Sequence, residues 1–172
     1  RIVVSGAALK DKLARVSFRN VPDKPGVAAE IFHAMAKADI VVDDIIQTVN
    51  PDKTAMVSFT CELKELPEAR KICDKINKSL KAEVTYEEHL AKVSVVGVGM
   101  RVHTGVAEKM FAALAKEKIN IQNITTSEIR ISVLVERSQG TKALQVIHKA
   151  FELHKKRTVK KASKKAGKKI RK

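Results

Sequence analysis

One stretch of this sequence occurs twice, and the repeat limits the fold more than any other feature. Residues Gly26–Ile40 (GVAAEIFHAMAKADI) and Gly105–Ile119 (GVAEKMFAALAKEKI) are identical at eight of fifteen aligned positions. The flanking stretches match in the same order, Arg15–Phe18 with Lys92–Val95 and Val57–Phe59 with Ile131–Val133. The same order over two stretches of about 60 residues indicates a duplicated domain.

Each copy predicts the same succession of strands and helices. Apolar runs with β-branched residues predict buried strands, and the Pro and Gly residues that follow predict turns. In the next segment Val27, Ile31, Ala34, Met35 and Ala38 recur at helical spacing and form one apolar stripe. The other elements predicted for the first copy are strands at Ala14–Val21, Ile40–Val49, Ala55–Cys61 and Ala82–Glu87, and a helix at Leu66–Leu80. Those of the second copy are strands at Ala91–Val98, Ile121–Thr126 and Ile129–Val135, a helix with its stripe from Val106 to Leu114, and a helix at Thr141–Leu153.

The order β-α-β-β-α-β predicts an α+β fold of two ferredoxin-like units in tandem. The second copy has no fourth strand of its own, whereas the apolar segment Ile2–Leu9 is left over at the start of the chain. We therefore predict that residues 1–10 complete the second unit (91–153) and that the first unit (14–89) is inserted into it.

The excess of positive charge lies at the end of the chain. The chain has 34 Lys and Arg against 19 Asp and Glu, and residues 154–172 hold eleven of the basic residues and none of the acidic ones. This composition predicts a disordered, solvated tail. Binding of phosphate backbones through the tail is the alternative, and it is the only route to a nucleic-acid partner that the sequence offers.

Other chemistry has little support in the sequence. Cys61 and Cys73 do not make a disulfide framework; they fit buried thiols in a reducing cytoplasm. The five histidines lack metal-ligand spacing, so neither a metal nor a cofactor is predicted. No phosphate-binding loop or nucleophile motif is visible, and no apolar stretch is long enough to span a membrane. Aromatic residues are 3 %, too few for a sheet surface that stacks RNA bases.

The stretches VPDKPGVAAEIF, DDIIQ, AKVSVVGVGM and INIQNITTSEIRISVLV resemble the regulatory region of aspartate kinases, a tandem pair of ACT domains. The resemblance covers Ile2 to Leu153. It implies feedback control of lysine, threonine and methionine biosynthesis by threonine, lysine or both. It also implies a homodimer through the ACT domains, and a catalytic domain or α subunit as partner. The kinase motifs are absent, so the chain alone should be inactive. Because it starts at Arg1, we expect a β subunit or the regulatory part of a longer enzyme; a stand-alone regulator of another enzyme is the alternative.

The residues themselves suggest how a free amino acid would be held. Helix N-termini attract carboxylates, and Gly26–Ala28 and Gly105–Ala107 are predicted to be two of them. A carboxylate must take the ammonium group, and Asp23 and Asp43 are the candidates. Gln47, on an otherwise apolar strand, both donates and accepts hydrogen bonds.

The family resemblance assigns these residues to two sites. The first, for threonine, would combine four residues of the first copy with two of the second: Asp23, Gly26, Ala28 and Gln47 with Asn120 and Ile121. The second, for lysine or another threonine, would use residues of both copies: Val106, Ala107, Val42 and Asp43, with Ser127 and Glu128 nearby.

Several of these residues have a structural alternative. Asp23 fits a turn in Pro-Asp-Lys-Pro-Gly, and Asn120 fits the connection between a helix and a strand. Ser127 and Glu128 lie where a tight hairpin is predicted and fit its turn. The sequence leaves these alternatives open.

Overall fold

The protein has the predicted α+β architecture of two βαββαβ units. The computed structural model describes residues 3–98 and 104–153; the predicted tail, 154–172, lies outside them. Within the described part, the first unit comprises residues 11–90, and the second comprises residues 3–10 together with 91–98 and 104–153. The insertion of the first unit into the second, predicted from the leftover strand, is confirmed.

The first unit has four strands and two helices. In chain order its elements are the second part of β1 (Val3–Pro22), α1 (Val27–Lys37), β2 (Asp43–Val49), β3 (Thr54–Glu62), α2 (Leu66–Leu80) and the first part of β4 (Glu83–Val98), with a 3-10 turn at Leu63–Glu65. The strands follow the order β2-β3-β1-β4, the ferredoxin-like order. Helix α2 has the predicted bounds because Pro67 lies in its first turn and Lys81, with φ 51°, ends it.

The second unit repeats this arrangement with its fourth strand taken from the start of the chain. Its further elements are α3 (Thr104–Lys116), β5 (Asn123–Thr126), β6 (Arg130–Glu136), a 3-10 turn at Arg137–Gln139 and α4 (Gly140–Ala150). The strand order is β1-β4-β6-β5. The Ser5 hydroxyl donates a hydrogen bond to the carbonyl of Val96 at 3.1 Å, and Val4 is buried in the core of this unit.

The predicted strands at Ile2–Leu9 and Ala14–Val21 are wrong as separate elements, because β1 is continuous from Val3 to Pro22. In the same way, Ala82–Glu87 and Ala91–Val98 are parts of the single strand β4. The charged connection at residues 10–13 contains neither Gly nor Pro, and Lys12 bends the strand at φ 55° without ending it.

Each unit buries its own core between its helices and one face of its strands. In the first unit Phe18 and Phe59 are fully buried, and Phe32 meets Phe59 edge to face at 5.6 Å. Cys61 and Cys73 lie in the same core, and burial raises the pKa of their thiols to about 11 and about 12. The interpretation of both cysteines as buried thiols is confirmed.

The core of the second unit is aliphatic where it is fully enclosed. Its most buried members come from one face of β4, α3, β6 and α4: Ala91, Val93, Val95, Met110, Leu114, Val133, Val135, Ala143 and Ile147.

None of the described helices has the length and hydropathy needed to cross a membrane.

Candidate functional site

A recess of about 200 Å³ opens in the first unit at the loop between the end of β1 and the start of α1. It is lined by the loop that joins these elements, by the first turn of α1 and by the adjoining ends of β2 and β3: Val21, Pro22, Asp23, Lys24, Pro25, Gly26, Val27, Ala28, Gln47, Ala55 and Val57. Four site residues predicted from the sequence, Asp23, Gly26, Ala28 and Gln47, therefore line one recess.

Helix α1 presents an uncapped N-terminus to this recess. Gly26 is the N-cap, has no side chain to cap the helix and adopts φ 98°, which favours glycine. Its carbonyl accepts the N–H of Glu30 at 2.9 Å, which is the first hydrogen bond of the helix. The N–H groups that precede Glu30 in the first turn therefore have no acceptor within the helix. These amides and the helix dipole make this end of the recess suitable for an anion.

Asp23 lies beside this helix start with its carboxylate exposed. Its backbone N–H donates to the carbonyl of Lys53 at 3.2 Å, which attaches the loop to the turn between β2 and β3. The part of the chain that the structure describes offers no hydrogen bond or ion pair to the carboxylate of Asp23. The side-chain hydrogen bond that a turn role would use is therefore not seen here.

Gln47 stands at the third side of the recess. It lies opposite Val57 in the β2–β3 ladder, so its side chain leaves the sheet on the same face as the buried Val57. Gln47 is exposed, and its amide makes no hydrogen bond with the other described residues. The recess thus combines an apolar floor with an anion-binding helix end, a carboxylate and an amide.

Size and chemistry together restrict what the recess can hold. It is smaller than the roughly 300–1,000 Å³ pockets that enclose drug-sized ligands. A ligand with one anionic group and one cationic group close together would match the helix start and Asp23 at the same time. Within residues 3–98 and 104–153, no three His, Cys, Asp or Glu side chains form a metal-binding group.

The remaining predicted residues of the first unit lie outside the recess lining. Asp43 begins β2, and its carboxylate accepts the N–H of Asp44 at 2.8 Å. Val42 packs against the core of the first unit. The role proposed for these two residues at a second site stays a prediction.

The predicted residues of the second unit fall into three places. Asn120 and Ile121 lie between α3 and β5, where Asn120 is exposed and Ile121 packs against the core. Val106 is buried in the first turns of α3, and Ala107 packs beside it. Ser127 and Glu128 occupy the turn between β5 and β6, as their alternative interpretation required. The N–H of Ser127 bonds to the carbonyl of Arg130 at 2.8 Å, and its hydroxyl accepts the N–H of Ile129 at 3.4 Å.

Asp43 of the first unit and Asn123 of the second occupy equivalent positions in the structure, although the sequence alignment of the repeat does not pair them. Asp43 lies opposite Thr60, and Asn123 lies opposite Leu134, which are equivalent positions of β3 and β6. The side chain of each accepts the N–H of the following residue, at 2.8 and 2.9 Å. Asp44, with φ 45°, lies in a bulge between Asp43 and Ile46, where β2 has one residue more than β3. A carboxylate in the first unit thus corresponds to a neutral carboxamide in the second.

Sequence reasoning missed the other contributors to the recess. Lys24, in the same loop as Asp23, also lines the recess. Its position next to Asp23 in the sequence could have predicted this. Lys53 acts through its backbone carbonyl, which has no signature in the sequence.

Comparisons with known proteins agree with this architecture. Two family models, both described as ACT domain, match residues 14–78 and 93–151. An aspartate kinase of Pseudomonas fluorescens is 46% identical over 152 residues, and an aspartokinase of Helicobacter pylori is 43% identical over 151. Each alignment covers 88% of this chain but only 37% of the kinase. The chain therefore spans little more than a third of the length of these relatives.

Two solved structures are similar over nearly all of their own length. A chain in the crystal structure of aspartokinase alpha and beta subunits is 44% identical, with a TM-score of 0.80, and the match covers 88% of this chain and 100% of that one. The ligand-free regulatory subunit of aspartate kinase from Thermus thermophilus is 37% identical, with a TM-score of 0.81 and coverage of 86% and 98%.

Proposed function

Because the chain belongs to the aspartate kinase family, in which it corresponds to the tandem ACT domains of the regulatory part, we propose that it senses a free amino acid for that enzyme. The effector is threonine, lysine or both, and its binding reduces the phosphorylation of aspartate. The role is feedback inhibition in the cytoplasm, where the lysine, threonine and methionine pathway begins. This chain supplies the sensor and no catalytic residue.

In this proposal the recess of the first unit receives threonine. The α-carboxylate meets the amides at the start of α1, near Gly26 and Ala28, and the ammonium group meets Asp23. The methyl group packs on the apolar floor, and Gln47 hydrogen-bonds the hydroxyl. The family resemblance also predicts Asn120 and Ile121 as residues of a threonine site. A second site, for lysine or another threonine, uses the residues predicted from the resemblance: Val42, Asp43, Val106, Ala107, Ser127 and Glu128.

The proposed partners are a catalytic domain or α subunit of aspartate kinase and a second copy of this chain. Strands β2 and β5 each stand at one end of the strand order of their unit, and each carries an exposed apolar side chain. Ile45 is 53% exposed and Ile124 47%. Pairing with another sheet would cover such edges, which supports the homodimer. A coupling of about 1–3 kcal/mol between effector and kinase is sufficient to change activity from severalfold to a hundredfold.

The observation that carries the proposal is the carboxylate of Asp23, which has no hydrogen-bond or ion-pair partner among the described residues, beside the start of α1 in one small recess. The test is calorimetric titration of the chain with threonine, lysine, methionine and isoleucine, together with thermal unfolding in each amino acid. A ligand present at 100 times its Kd should stabilise the protein by about 2.7 kcal/mol. The sensor function is refuted if none of the four binds and none raises the melting temperature.

A further inference from the structure

The turn between β2 and β3 is fixed by three of its own side chains. The hydroxyl of Thr54 donates to the carboxylate of Asp52 at 2.6 Å and accepts from the side-chain amide of Asn50 at 3.0 Å. The same carboxylate oxygen accepts the backbone N–H of Thr54 at 3.0 Å. Backbone bonds join Asn50 to Thr54 at 2.8 Å and Lys53 to Asn50 at 3.2 Å. We refer to Asn50, Asp52 and Thr54 as the turn clasp.

The turn clasp determines where the carbonyl of Lys53 points. Lys53 lies between two clasp residues and adopts φ 61°, a conformation that an unrestrained lysine rarely takes. Its carbonyl accepts the N–H of Asp23 at 3.2 Å. Thr54 lies opposite Pro22 in the β1–β3 ladder, and Pro22 has no N–H to donate. The loop is therefore attached to the turn through the amide of Asp23, the residue that presents its carboxylate to the recess.

In the second unit the turn between β5 and β6 is bonded to the neighbouring strand at a different position of the repeat. There the carbonyl of Ile129, in the turn between β5 and β6, accepts the N–H of Gly97 at 2.9 Å. This turn is shorter, and the hydroxyl of Ser127 accepts a backbone N–H within it. Gly97 lies within β4, whereas Asp23 follows the end of β1, so the bond in the second unit is not the equivalent of the bond from Asp23 to Lys53.

We propose that Thr54 is a positioning residue for the amino-acid site of the first unit. By closing the turn clasp it aims the carbonyl of Lys53 at the amide of Asp23, and this fixes the carboxylate that receives the ammonium group of the effector. The inference rests on the proposed function, because it specifies what sets the affinity of that site. Thr54 is not among the described residues that line the recess, so in this proposal it acts through Lys53 and Asp23.

The test compares three variants of the full chain. Thr54→Val removes the hydroxyl and keeps a β-branched side chain, whereas Thr54→Ser keeps the hydroxyl and removes the methyl group. Tyr86→Phe is the matched control, since it removes another hydroxyl of the first unit. That hydroxyl donates a hydrogen bond of 2.5 Å to the carboxylate of Asp74, and neither residue is among the described residues that line the recess. Each protein is titrated with L-threonine and L-lysine by calorimetry, and exchange of the Asp23 amide is followed by NMR.

We expect Thr54→Val to raise the Kd of the effector roughly 3- to 10-fold and to speed exchange of the Asp23 amide. Thr54→Ser should stay within about twofold of the unsubstituted chain, and Tyr86→Phe should leave both readouts unchanged even where it lowers the melting temperature. A Thr54→Val protein that is less stable but keeps its Kd and its Asp23 protection would show that the clasp only stabilises the turn. If the unsubstituted chain binds neither amino acid, the sensor function fails, and this inference fails with it.

Discussion

Arg15 and Glu87 form a two-point ion pair across the neighbouring strands β1 and β4 of the first unit. The Nε atom of Arg15 lies 2.5 Å from one carboxylate oxygen of Glu87, and its Nη2 atom lies 2.9 Å from the other. The Arg15 side chain is 17% exposed and that of Glu87 43%. The hydrogen bonds from Arg15 hold the pKa of Glu87 below its ordinary value against the opposing effect of burial, and the charge of Arg19 adds to the lowering.

This ion pair predicts an acid-dependent loss of stability. A carboxyl group with a lowered folded pKa stabilises the protein above its unfolded pKa, about 4.3, and this contribution disappears as the pH falls through the folded value. Glu87→Gln should reduce the free energy of unfolding by about 1 kcal/mol at pH 7, because the pair is partly exposed, and by much less at pH 3. Urea unfolding at several pH values measures the difference. Glu83→Gln, which removes an exposed carboxylate from the same strand, is the matched control.

Gly26 predicts a backbone effect that two other glycines should not show. A Cβ added at Gly26, Gly6 or Gly105 would meet no atom within 4 Å, but only Gly26 of these has a positive φ, 98°. Gly26→Ala should therefore lower the free energy of unfolding by about 1–2 kcal/mol. Gly6→Ala should change it by less than about 0.5 kcal/mol, and Gly105→Ala, in the first turn of α3, should be neutral or stabilising. Equal losses in all three variants would contradict the role given to the left-handed conformation.

Asp23 predicts a loss of binding without a loss of fold. Its carboxylate has no partner among the described residues, while its backbone N–H is bonded to Lys53, so Asp23→Asn should leave the melting temperature nearly unchanged. Removing the charge that receives the ammonium group should raise the Kd of the effector roughly tenfold or more. Calorimetry measures this change, with Asp11→Asn as a control at another exposed carboxylate. Unchanged affinity would remove Asp23 from the site.

The sequence predicted the parts of this fold that depend on local pattern. The apolar pattern of residues 66–80 located α2 at both ends, the repeat predicted the order of the elements, and the leftover strand Ile2–Leu9 predicted the insertion. The strand boundaries at residues 10–13 were wrong because the two apolar runs were assigned to separate strands, whereas β1 continues through the charged residues between them. Charge alone does not end a strand when the backbone keeps its ladder and no Gly or Pro interrupts it.

The site was predictable to the extent that side chains define it. Asp23, Gly26, Ala28 and Gln47 line one recess because a turn, a helix start and a strand position each have a local signature. The bond from Asp23 to the carbonyl of Lys53 has none, since it joins two backbone atoms thirty residues apart. The bulge at Asp44 was equally hidden, because an extra strand residue shows only in the register with the neighbouring strand.

The proposed dimer should be disrupted by charges placed on the edge strands β2 and β5. Ile45→Lys on β2 or Ile124→Lys on β5 should place a charge on the edge that the proposed partner copy covers, and charged edges resist pairing. Sedimentation equilibrium should then show the monomer at concentrations where the unsubstituted chain is a dimer. Val98→Lys is the control, because Val98 is 71% exposed but lies on β4. If both edge variants remain dimeric, the interface lies elsewhere.

Gly140 tests the packing of the second unit against its borrowed strand. A Cβ at this position would lie 3.0 Å from the Cβ of Ala91 and 3.2 Å from a methyl carbon of Leu9. The end of the Leu9 side chain can move, whereas the Cβ of Ala91 is fixed to β4. Gly140→Ala should therefore lower the free energy of unfolding by about 1–3 kcal/mol. Thr141→Ala, at an exposed neighbouring position, should change it by less than about 0.5 kcal/mol.

A double-mutant cycle separates this contact from an unspecific effect on α4. Ala91→Gly removes the atom that the new Cβ would meet, so Gly140→Ala should be less destabilising in that background by at least about 0.5 kcal/mol. Urea unfolding of the four proteins gives the coupling energy directly. Strictly additive losses would mean that α4 does not approach β4 as closely as described. A second cycle combines Gly140→Ala with Leu9→Ala. A coupling energy between these two substitutions would be energetic evidence, independent of the geometry, that residues 3–10 belong to the second unit.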